Sequence, residues 1–200
     1  MMRTQVACER PDRVRAVPEG DGGEPPARPP AGARIEIRPA RMEDEDRMRG
    51  FLCDLSPRTQ VLRFFTALGN PGAGLVRSLL RVDERRDVLV AVCGETVVGH
   101  AMSFSRGAAE VEISVVVADR WQGSGLGSRL VGRLLHRAEA GGARTVGMDV
   151  LGENRRVLAM IRGWWPDATM KASSGTVEVA ARLRRSPVPA GRRAVRASVR

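Results

Sequence analysis

Apolar residues in this chain follow two periods, and each period predicts a different kind of element. Alternation of apolar and polar residues predicts six strands, at 34–40, 87–94, 97–105, 109–119, 144–151 and 175–183. Apolar residues three and four apart predict helices at 42–55, from Pro57 onward, at 74–82, at 126–140 and at 152–165. This order predicts an α/β fold of mixed α+β type, with a central mixed sheet of about six to seven strands and helices on both faces.

The second helix is expected to begin after Ser56–Pro57, a pair that is typical of a cap followed by a first helical position. Its apolar face is expected to consist of Val61, Leu62, Phe64 and Phe65. Cys53 and Cys93 are expected to be buried. The three cysteines are too scattered for a disulfide framework or a metal cluster, so the sequence predicts no metal site.

Proline and glycine are frequent in the first 33 residues, which show no hydrophobic periodicity. Such a segment buries too little apolar surface to offset the entropy of ordering, so we expect a disordered leader at 1–33. The folded domain is expected at 34–183. Residues 184–200 hold six arginines and no acid, and we expect a disordered basic tail there.

The formal net charge of +10 is unevenly distributed along the 200 residues. The leader is neutral, the domain carries +4 and the tail +6. Because no aromatic residue is interleaved with the tail arginines to stack on bases, nucleic-acid binding is disfavoured. No apolar run approaches the ~20 residues of a membrane span, and the N-terminus lacks an apolar export segment. We therefore expect a cytoplasmic protein without a membrane partner.

A glycine-rich segment lies between the 109–119 strand and the following helix. It consists of Gln122, Gly123, Ser124, Gly125, Leu126 and Gly127. Glycines at such a turn let backbone N–H groups point at an anion, and the helix N-terminus adds partial positive charge. The segment lacks the lysine of a P-loop, and its G-x-G-x-G spacing differs from the dinucleotide fingerprint. We expect a phosphate or pyrophosphate here, with Ser128 and Arg129 as further candidate contacts.

Gln122, Gly125 and Gly127, between an apolar strand and an amphipathic helix, resemble motif A of the GNAT superfamily of N-acetyltransferases. The resemblance covers about residues 34–182, and the predicted order of strands and helices is similar to the GNAT order. It implies that the loop holds the pyrophosphate of acetyl-coenzyme A (acetyl-CoA) as co-substrate and that Asn154 faces the coenzyme arm. It also implies that the thioester carbonyl is polarised by backbone N–H groups around Val115, Val116 and Val117.

A narrower resemblance is to bacterial Pat-type protein lysine acetyltransferases. Leu55-Ser56-Pro57, followed by Leu62-Arg63-Phe64-Phe65, is similar to their L-S-x…RFF segment. Glu112 lies ten residues before Gln122, where that group has a catalytic glutamate. The resemblance implies that the acceptor is a lysine of a protein.

Acetyl transfer needs a neutral amine, whereas a lysine side chain with a pKa of about 10.4 is protonated at neutral pH. A base must therefore accept a proton, directly or through water. Alternation along the 109–119 strand places Glu110, Glu112 and Ser114 on one face. Glu112 is nearer the glycine segment and is the predicted base, with Glu110 in reserve. The alternative interpretation is an exposed sheet face with two solvated acids.

Many GNAT enzymes protonate the departing thiolate with a tyrosine on the helix that Asn154 opens. The aligned residue here is Ile161, and the chain has no tyrosine. The general acid is thus absent or is water, which suffices for a thiol with a pKa of about 8.5. His100 is a candidate on the acceptor side, although a packed structural histidine is favoured.

The sequence predicts an N-acetyltransferase that uses acetyl-CoA, a primary amine as acceptor and Glu112 as base in a direct attack. A protein lysine is the favoured acceptor. Two alternatives stay open. One is a small-molecule amine acceptor such as a polyamine, an antibiotic or an amino acid, and the other is a non-catalytic acyl-CoA-binding regulatory module.

Overall fold

A computed structural model describes residues 33–183, and these contain seven strands and five α-helices. The strands are β1 (Ile35–Pro39), β2 (Arg86–Cys93), β3 (Thr96–Ser105), β4 (Glu110–Val117), β5 (Thr145–Leu151), β6 (Thr169–Ser173) and β7 (Thr176–Arg182). The helices are α1 (Glu45–Cys53), α2 (Pro57–Phe64), α3 (Ala73–Leu80), α4 (Leu126–Ala140) and α5 (Arg155–Trp164). The predicted leader, apart from Ala33, and the predicted tail at 184–200 lie outside the described residues.

The seven strands form one sheet in the order β1-β2-β3-β4-β5-β7-β6. β4 and β5 are parallel, and every other neighbouring pair is antiparallel. This confirms the predicted mixed sheet. β6 has no counterpart among the six predicted strands, because this edge strand leaves most of its side chains exposed and shows no apolar alternation.

Helices cover both faces of the sheet, as the alternation of side chains requires. In β2, Leu89 and Ala91 pack in the cluster that contains the buried residues of α4 and α5. Val88 and Val90 point the opposite way and pack in the cluster that contains those of α1 and α3. The sheet is therefore a central layer between two helical layers, as predicted.

The sheet opens between its two parallel strands. β4 and β5 pair only over Glu110–Glu112 and Thr145–Gly147. Beyond this short ladder, β4 continues to Val117 along β3, and β5 continues to Leu151 along β7. The two strands thus diverge toward their C-terminal ends, and the gap interrupts the sheet at its centre.

The buried face of α2 differs from its predicted apolar face. The buried residues of this helix are the polar Thr59 and Gln60, whereas Phe65 is 46% exposed and the other three predicted residues are partly exposed. Gln60 is satisfied in the interior because its Nε2 donates to the carbonyls of Leu52 and Leu55. The apolar side of α2 instead faces an internal cavity.

The burial expected for both cysteines is wrong. Cys53 is exposed at the C-terminal end of α1, and Cys93 is partly exposed at the end of β2. Both cysteines belong to regular elements, as their spacing predicts. Each is the last residue of its element, however, where packing is incomplete.

Candidate active site

A cavity of about 750 Å³ occupies the gap between β4 and β5. At one end it is lined by the glycine segment and the start of α5, and at the other by the C-terminal half of α2 and by β3. Ten of the predicted site residues contribute to its lining: Glu112, Val115, Val116, Val117, Gln122, Gly123, Gly125, Gly127, Ser128 and Asn154. The structure therefore brings the predicted base and the predicted anion loop to a single cavity.

The glycine segment turns the chain from the end of β4 into α4. Gly123 and Gly125 have φ angles of 76° and 82°, a backbone region in which a Cβ is unfavourable. Gly125 caps α4, so the N–H groups of the first helical turn have no partner within the helix. These free donors and the positive end of the helix dipole lie at the cavity end where an anion is expected.

Two polar side chains hold the ends of the diverging strands. Gln122 Nε2 donates to the Val117 carbonyl at 3.1 Å and to Thr59 Oγ1 at 3.2 Å. Asn154 caps α5, and its Oδ1 accepts from the Val157 N–H at 3.3 Å. Both residues line the cavity, and these hydrogen bonds within the protein fix their position on its wall.

Backbone donors of β4 face the gap at alternate residues. Ala118 N–H donates to the Val98 carbonyl of β3 at 3.0 Å. Since strand residues alternate between their two neighbours, the Val116 N–H also faces β3, and the N–H groups of Val115 and Val117 face β5. β5 has diverged at this level, so these two N–H groups are directed into the cavity.

Glu112 stands on the cavity wall with its side chain 35% exposed. Its Oε2 accepts from Arg106 Nε at 2.6 Å and also from Arg106 Nη2. This hydrogen bond raises the pKa of Arg106 above its ordinary value. Glu110 shares the face of Glu112, but its exposed side chain lies outside the cavity lining.

Asp149 is an acid of the cavity that the sequence interpretation missed. It lies on β5 and shares the cavity with Glu112. Burial raises the pKa of Asp149, and the negative charges of Glu112 and Glu178 raise it further. The signal was present in the sequence as the single acid of the predicted strand at 144–151, between Met148 and Val150.

Asp119 links α2 to the turn before the glycine segment, and its role was not predicted either. Its carboxylate accepts from Ser56 N–H at 2.9 Å, from Ser56 Oγ at 2.8 Å and from Thr59 Oγ1 at 2.6 Å. Burial opposes ionisation, but these hydrogen bonds outweigh it and lower the pKa of Asp119. Sixty or more positions separate the partners, so periodicity alone did not indicate the contact.

Three further predicted residues do not line the cavity. Ser124 and Arg129 are exposed, and Leu126 is buried in the core beneath α4. Ile161, which stands where the resemblance has a tyrosine, is 2% exposed and lines the cavity. The position thus places an apolar side chain at the cavity wall.

His100 is a structural histidine, as the sequence interpretation favoured. It is 1% exposed, and its Nε2 donates to the Leu79 carbonyl at 2.8 Å. Burial lowers the pKa of His100 to about 4, with a further contribution from the charge of Arg63. The ring is therefore neutral at pH 7 and packs between β3 and α3.

The depressed pKa of His100 predicts a loss of stability in acid. The unfolded histidine, with a pKa of about 6.5, binds a proton as the pH falls, whereas the folded one stays neutral down to about pH 4. Between pH 7 and pH 5 this group is expected to remove about 2 kcal/mol from the free energy of unfolding. Urea denaturation of the wild type and of His100→Gln at both pH values measures this difference.

The matched control is His136→Gln, since His136 is exposed on α4. His136→Gln is expected to keep the pH dependence of the wild type, and His100→Gln to lose about 2 kcal/mol of it. Equal pH dependence in all three proteins would contradict the assignment of a neutral, buried His100.

Neither a metal site nor a membrane span emerges from residues 33–183. No group of three or more His, Cys, Asp or Glu side chains in this range is placed to hold a metal ion. Within the same range, every helix is too short or too polar to cross a membrane.

A mixed sheet that opens between two parallel strands, with a glycine turn at a helix start and a carboxylate on one cavity wall, defines an acyltransferase domain. The family model of the acetyltransferase (GNAT) family matches residues 56–164. The chain belongs to this family, which confirms the resemblance inferred from Gln122, Gly125 and Gly127.

Known proteins agree with this assignment. Acetyltransferase PA5475 of Pseudomonas aeruginosa is 33% identical over 119 residues, which cover 56% of this chain and 64% of that protein. The match thus spans less than two thirds of the relative's length. The GNAT domain of S. lividans PAT has a TM-score of 0.68 at 23% identity and covers 74% of this chain and 90% of its own.

A third similar protein has been solved with a ligand. It is an acetyltransferase from Salmonella typhimurium, whose structure contains its cofactor acetyl-CoA. The TM-score is 0.54 at 20% identity, over 76% of this chain and 95% of that one. At this identity the likeness concerns the fold.

Proposed function

We propose that this protein transfers the acetyl group of acetyl-CoA to a primary amine, a lysine side chain of a protein, with Glu112 as general base. The observation that carries the proposal is the continuous cavity between β4 and β5, which joins the glycine segment at one end to Glu112 at the other. We also propose that residues 34–183 are the functional domain.

Acetyl-CoA would enter the gap with its pyrophosphate on the glycine segment. The free N–H groups at the start of α4 suit that anion. Arg156 adds positive charge, because its Nη2 comes within 3.4 Å of the place a Cβ on Gly123 would take. The pantetheine arm would then run along β4, past Asn154 and the inward N–H groups of Val115 and Val117.

The chemistry follows from the polar groups on the opposite wall. Glu112 takes a proton from the ammonium group, directly or through water, and the neutral amine attacks the thioester carbonyl. The N–H groups of Val115 and Val117 stabilise the negative charge that forms on the carbonyl oxygen. The C–S bond then breaks, the attacking nitrogen gives its second proton to water as the amide forms, and coenzyme A leaves as a thiolate. Water protonates it, since Ile161 has no proton to give.

The proposal of a protein lysine rests on the Pat-type pattern. Leu55-Ser56-Pro57 and Leu62-Arg63-Phe64-Phe65 lie at the two ends of α2. Leu62, Arg63, Phe64 and Phe65 all line the end of the cavity away from the glycine segment. The segment that carries the resemblance therefore forms the wall that an acceptor would meet. The fold likeness to the GNAT domain of S. lividans PAT is consistent with this proposal.

A non-catalytic acyl-CoA-binding module is the second candidate, and Ile161 is the observation that favours it. A buried isoleucine at the place of the usual acid leaves the thiolate without a side-chain donor at that position. A module of this kind would bind acetyl-CoA through the same loop and release no free thiol in the presence of amines.

Two measurements on the full chain separate these functions. Titration calorimetry with acetyl-CoA tests the cavity, and we expect binding in the micromolar range that is typical of enzyme substrates. Release of free coenzyme A is then followed with lysine-containing proteins and with a panel of small amines. Release with the proteins supports the proposal, release only with small amines overturns the lysine acceptor, and binding without any release supports the module.

Failure to bind acetyl-CoA would overturn both candidates. Calorimetry with propionyl-CoA and succinyl-CoA in parallel shows whether another acyl group is preferred. Binding of one of these without acetyl-CoA binding would keep the cavity assignment and overturn the acetyl donor.

A further inference from the structure

Arg63 is a largely buried cation on the acceptor side of the cavity. It lies near the end of α2, and its Nη2 donates to Ser114 Oγ of β4 at 2.7 Å. Its Nε is buried and has no acceptor within residues 33–183. The acid on the same face of β4, Glu112, is already engaged by Arg106. Arg63 therefore lacks an ion-pair partner in the described part of the chain.

A buried guanidinium without a counter-ion is unfavourable, because the loss of water is not offset by an opposite charge. Burial lowers the pKa of Arg63 to about 10, and the charge of Glu112, which acts in the opposite direction without a direct ion pair, does not offset it. The ring of Phe64 lies 4.7 Å from Arg63 Cζ and stabilises one face of the guanidinium plane. The ring of Phe64 does not accept hydrogen bonds from the N–H groups that lie in the guanidinium plane. A carboxylate can accept two parallel hydrogen bonds from these groups.

The phosphates of a coenzyme do not explain Arg63. The glycine segment has its own guanidinium in Arg156. Arg63 instead lines the same end of the cavity as Phe65 and Phe104 and bonds to Ser114, two residues after Glu112. A ligand that meets Arg63 is therefore on the side where the amine is expected.

We propose that Arg63 binds a carboxylate of the acceptor and so selects amines that carry a carboxylate close to the reacting nitrogen. This inference rests on the proposed function, since it takes Glu112 as the position of the amine. Residues two apart in a strand are about 7 Å apart, which sets the spacing between amine and carboxylate. An acidic residue beside a lysine in a protein and the α-carboxylate of free lysine both supply this chemistry.

The test compares acceptors that differ only in the carboxylate. One pair is a lysine peptide with glutamate beside the lysine and the same peptide with glutamine there, and the other pair is free lysine and lysinamide. In the wild type we expect kcat/KM to be about 10- to 100-fold higher for the carboxylate member of at least one pair. The pair that shows the effect identifies the source of the carboxylate.

Variants of α2 assign the effect to Arg63. Arg63→Gln is expected to lower kcat/KM for the carboxylate member and leave the other nearly unchanged, so that their ratio falls toward one. Arg58→Gln is the control, because Arg58 is exposed on the same helix and lies outside the cavity lining, and it should keep the wild-type ratio. Equal losses for both members in Arg63→Gln would mean a structural role and would overturn the proposal.

A binding measurement separates this proposal from the proposed function. The peptides are made again with norleucine in place of the target lysine, so that they bind without reacting, and their Kd is measured by calorimetry on the wild type. Tighter binding of the glutamate peptide supports the carboxylate site even if no amine is ever acetylated. Equal Kd values together with equal kcat/KM values in both acceptor pairs would overturn the site while leaving acetyl transfer intact.

Discussion

Replacing Glu112 by glutamine is expected to lower kcat for acetyl transfer by about 10²- to 10⁴-fold, the usual contribution of a general base. Glutamine has the same shape and can still accept a hydrogen bond from Arg106, but it takes no proton from the amine. The Kd for acetyl-CoA should change by less than about twofold, since the coenzyme is held at the other end of the cavity. Initial rates at saturating acetyl-CoA measure the loss.

The pH profile distinguishes a lost base from a damaged fold. As the pH rises toward the lysine pKa of about 10.4, more of the amine is neutral without help. The deficit of Glu112→Gln should therefore shrink with rising pH, whereas a structural defect would lower the rate by a constant factor. Glu110→Gln is the matched control, because it changes a neighbouring acid on the same face that lies outside the cavity lining. It should retain nearly full activity.

A different outcome would identify Asp149, on β5, as the general base. Asp149 shares the cavity with Glu112, and burial raises its pKa above the ordinary value, which is favourable for a base near neutral pH. If Glu112→Gln keeps its rate and Asp149→Asn loses it, Asp149 is the base and the assignment of Glu112 is wrong. Full activity in both variants would mean that the amine loses its proton to solvent.

Local pattern was sufficient to predict most of the fold. Alternation in β2 and helical spacing in α4 are repeated many times within one element, so a single exception does not obscure them. The prediction fails where an element is short or lies at the edge of the sheet. β6 has five residues with mostly exposed side chains, and α2 buries Thr59 and Gln60 because their partners come from other segments.

The same distinction separates the site residues that could be predicted from the sequence from those that could not. The glycine segment and Glu112 were found because each belongs to a pattern contiguous in sequence. Arg63, Asp119 and Asp149 gain their roles from contacts between distant segments, such as the bond from Arg63 to Ser114 on another element. The available signal for Arg63 and Asp149 was a charged residue with apolar neighbours on both sides, Leu62 and Phe64 for the first and Met148 and Val150 for the second. Sequence spacing does not tell whether such a residue faces solvent or a cavity.

Replacing Gly125 by valine is expected to weaken acetyl-CoA binding by at least about 100-fold. Gly125 has a φ of 82°, which a β-branched residue adopts only with strain, so the turn that opens α4 should shift. Hydrogen bonds to a charged group contribute about 1.5–3 kcal/mol each, and the loss of two such bonds to the pyrophosphate accounts for the factor. Calorimetry with acetyl-CoA measures it.

Gly142 provides a control with the same backbone conflict at a remote place. It has a φ of 93° just beyond the C-terminal end of α4 and lies outside the cavity lining. Gly142→Val should lose a similar amount of stability in thermal denaturation, about 1–2 kcal/mol, and keep the wild-type Kd. A loss of binding confined to Gly125→Val would then follow from the turn geometry and not from general destabilisation. Tight binding by Gly125→Val would contradict the assignment of the loop as an anion site.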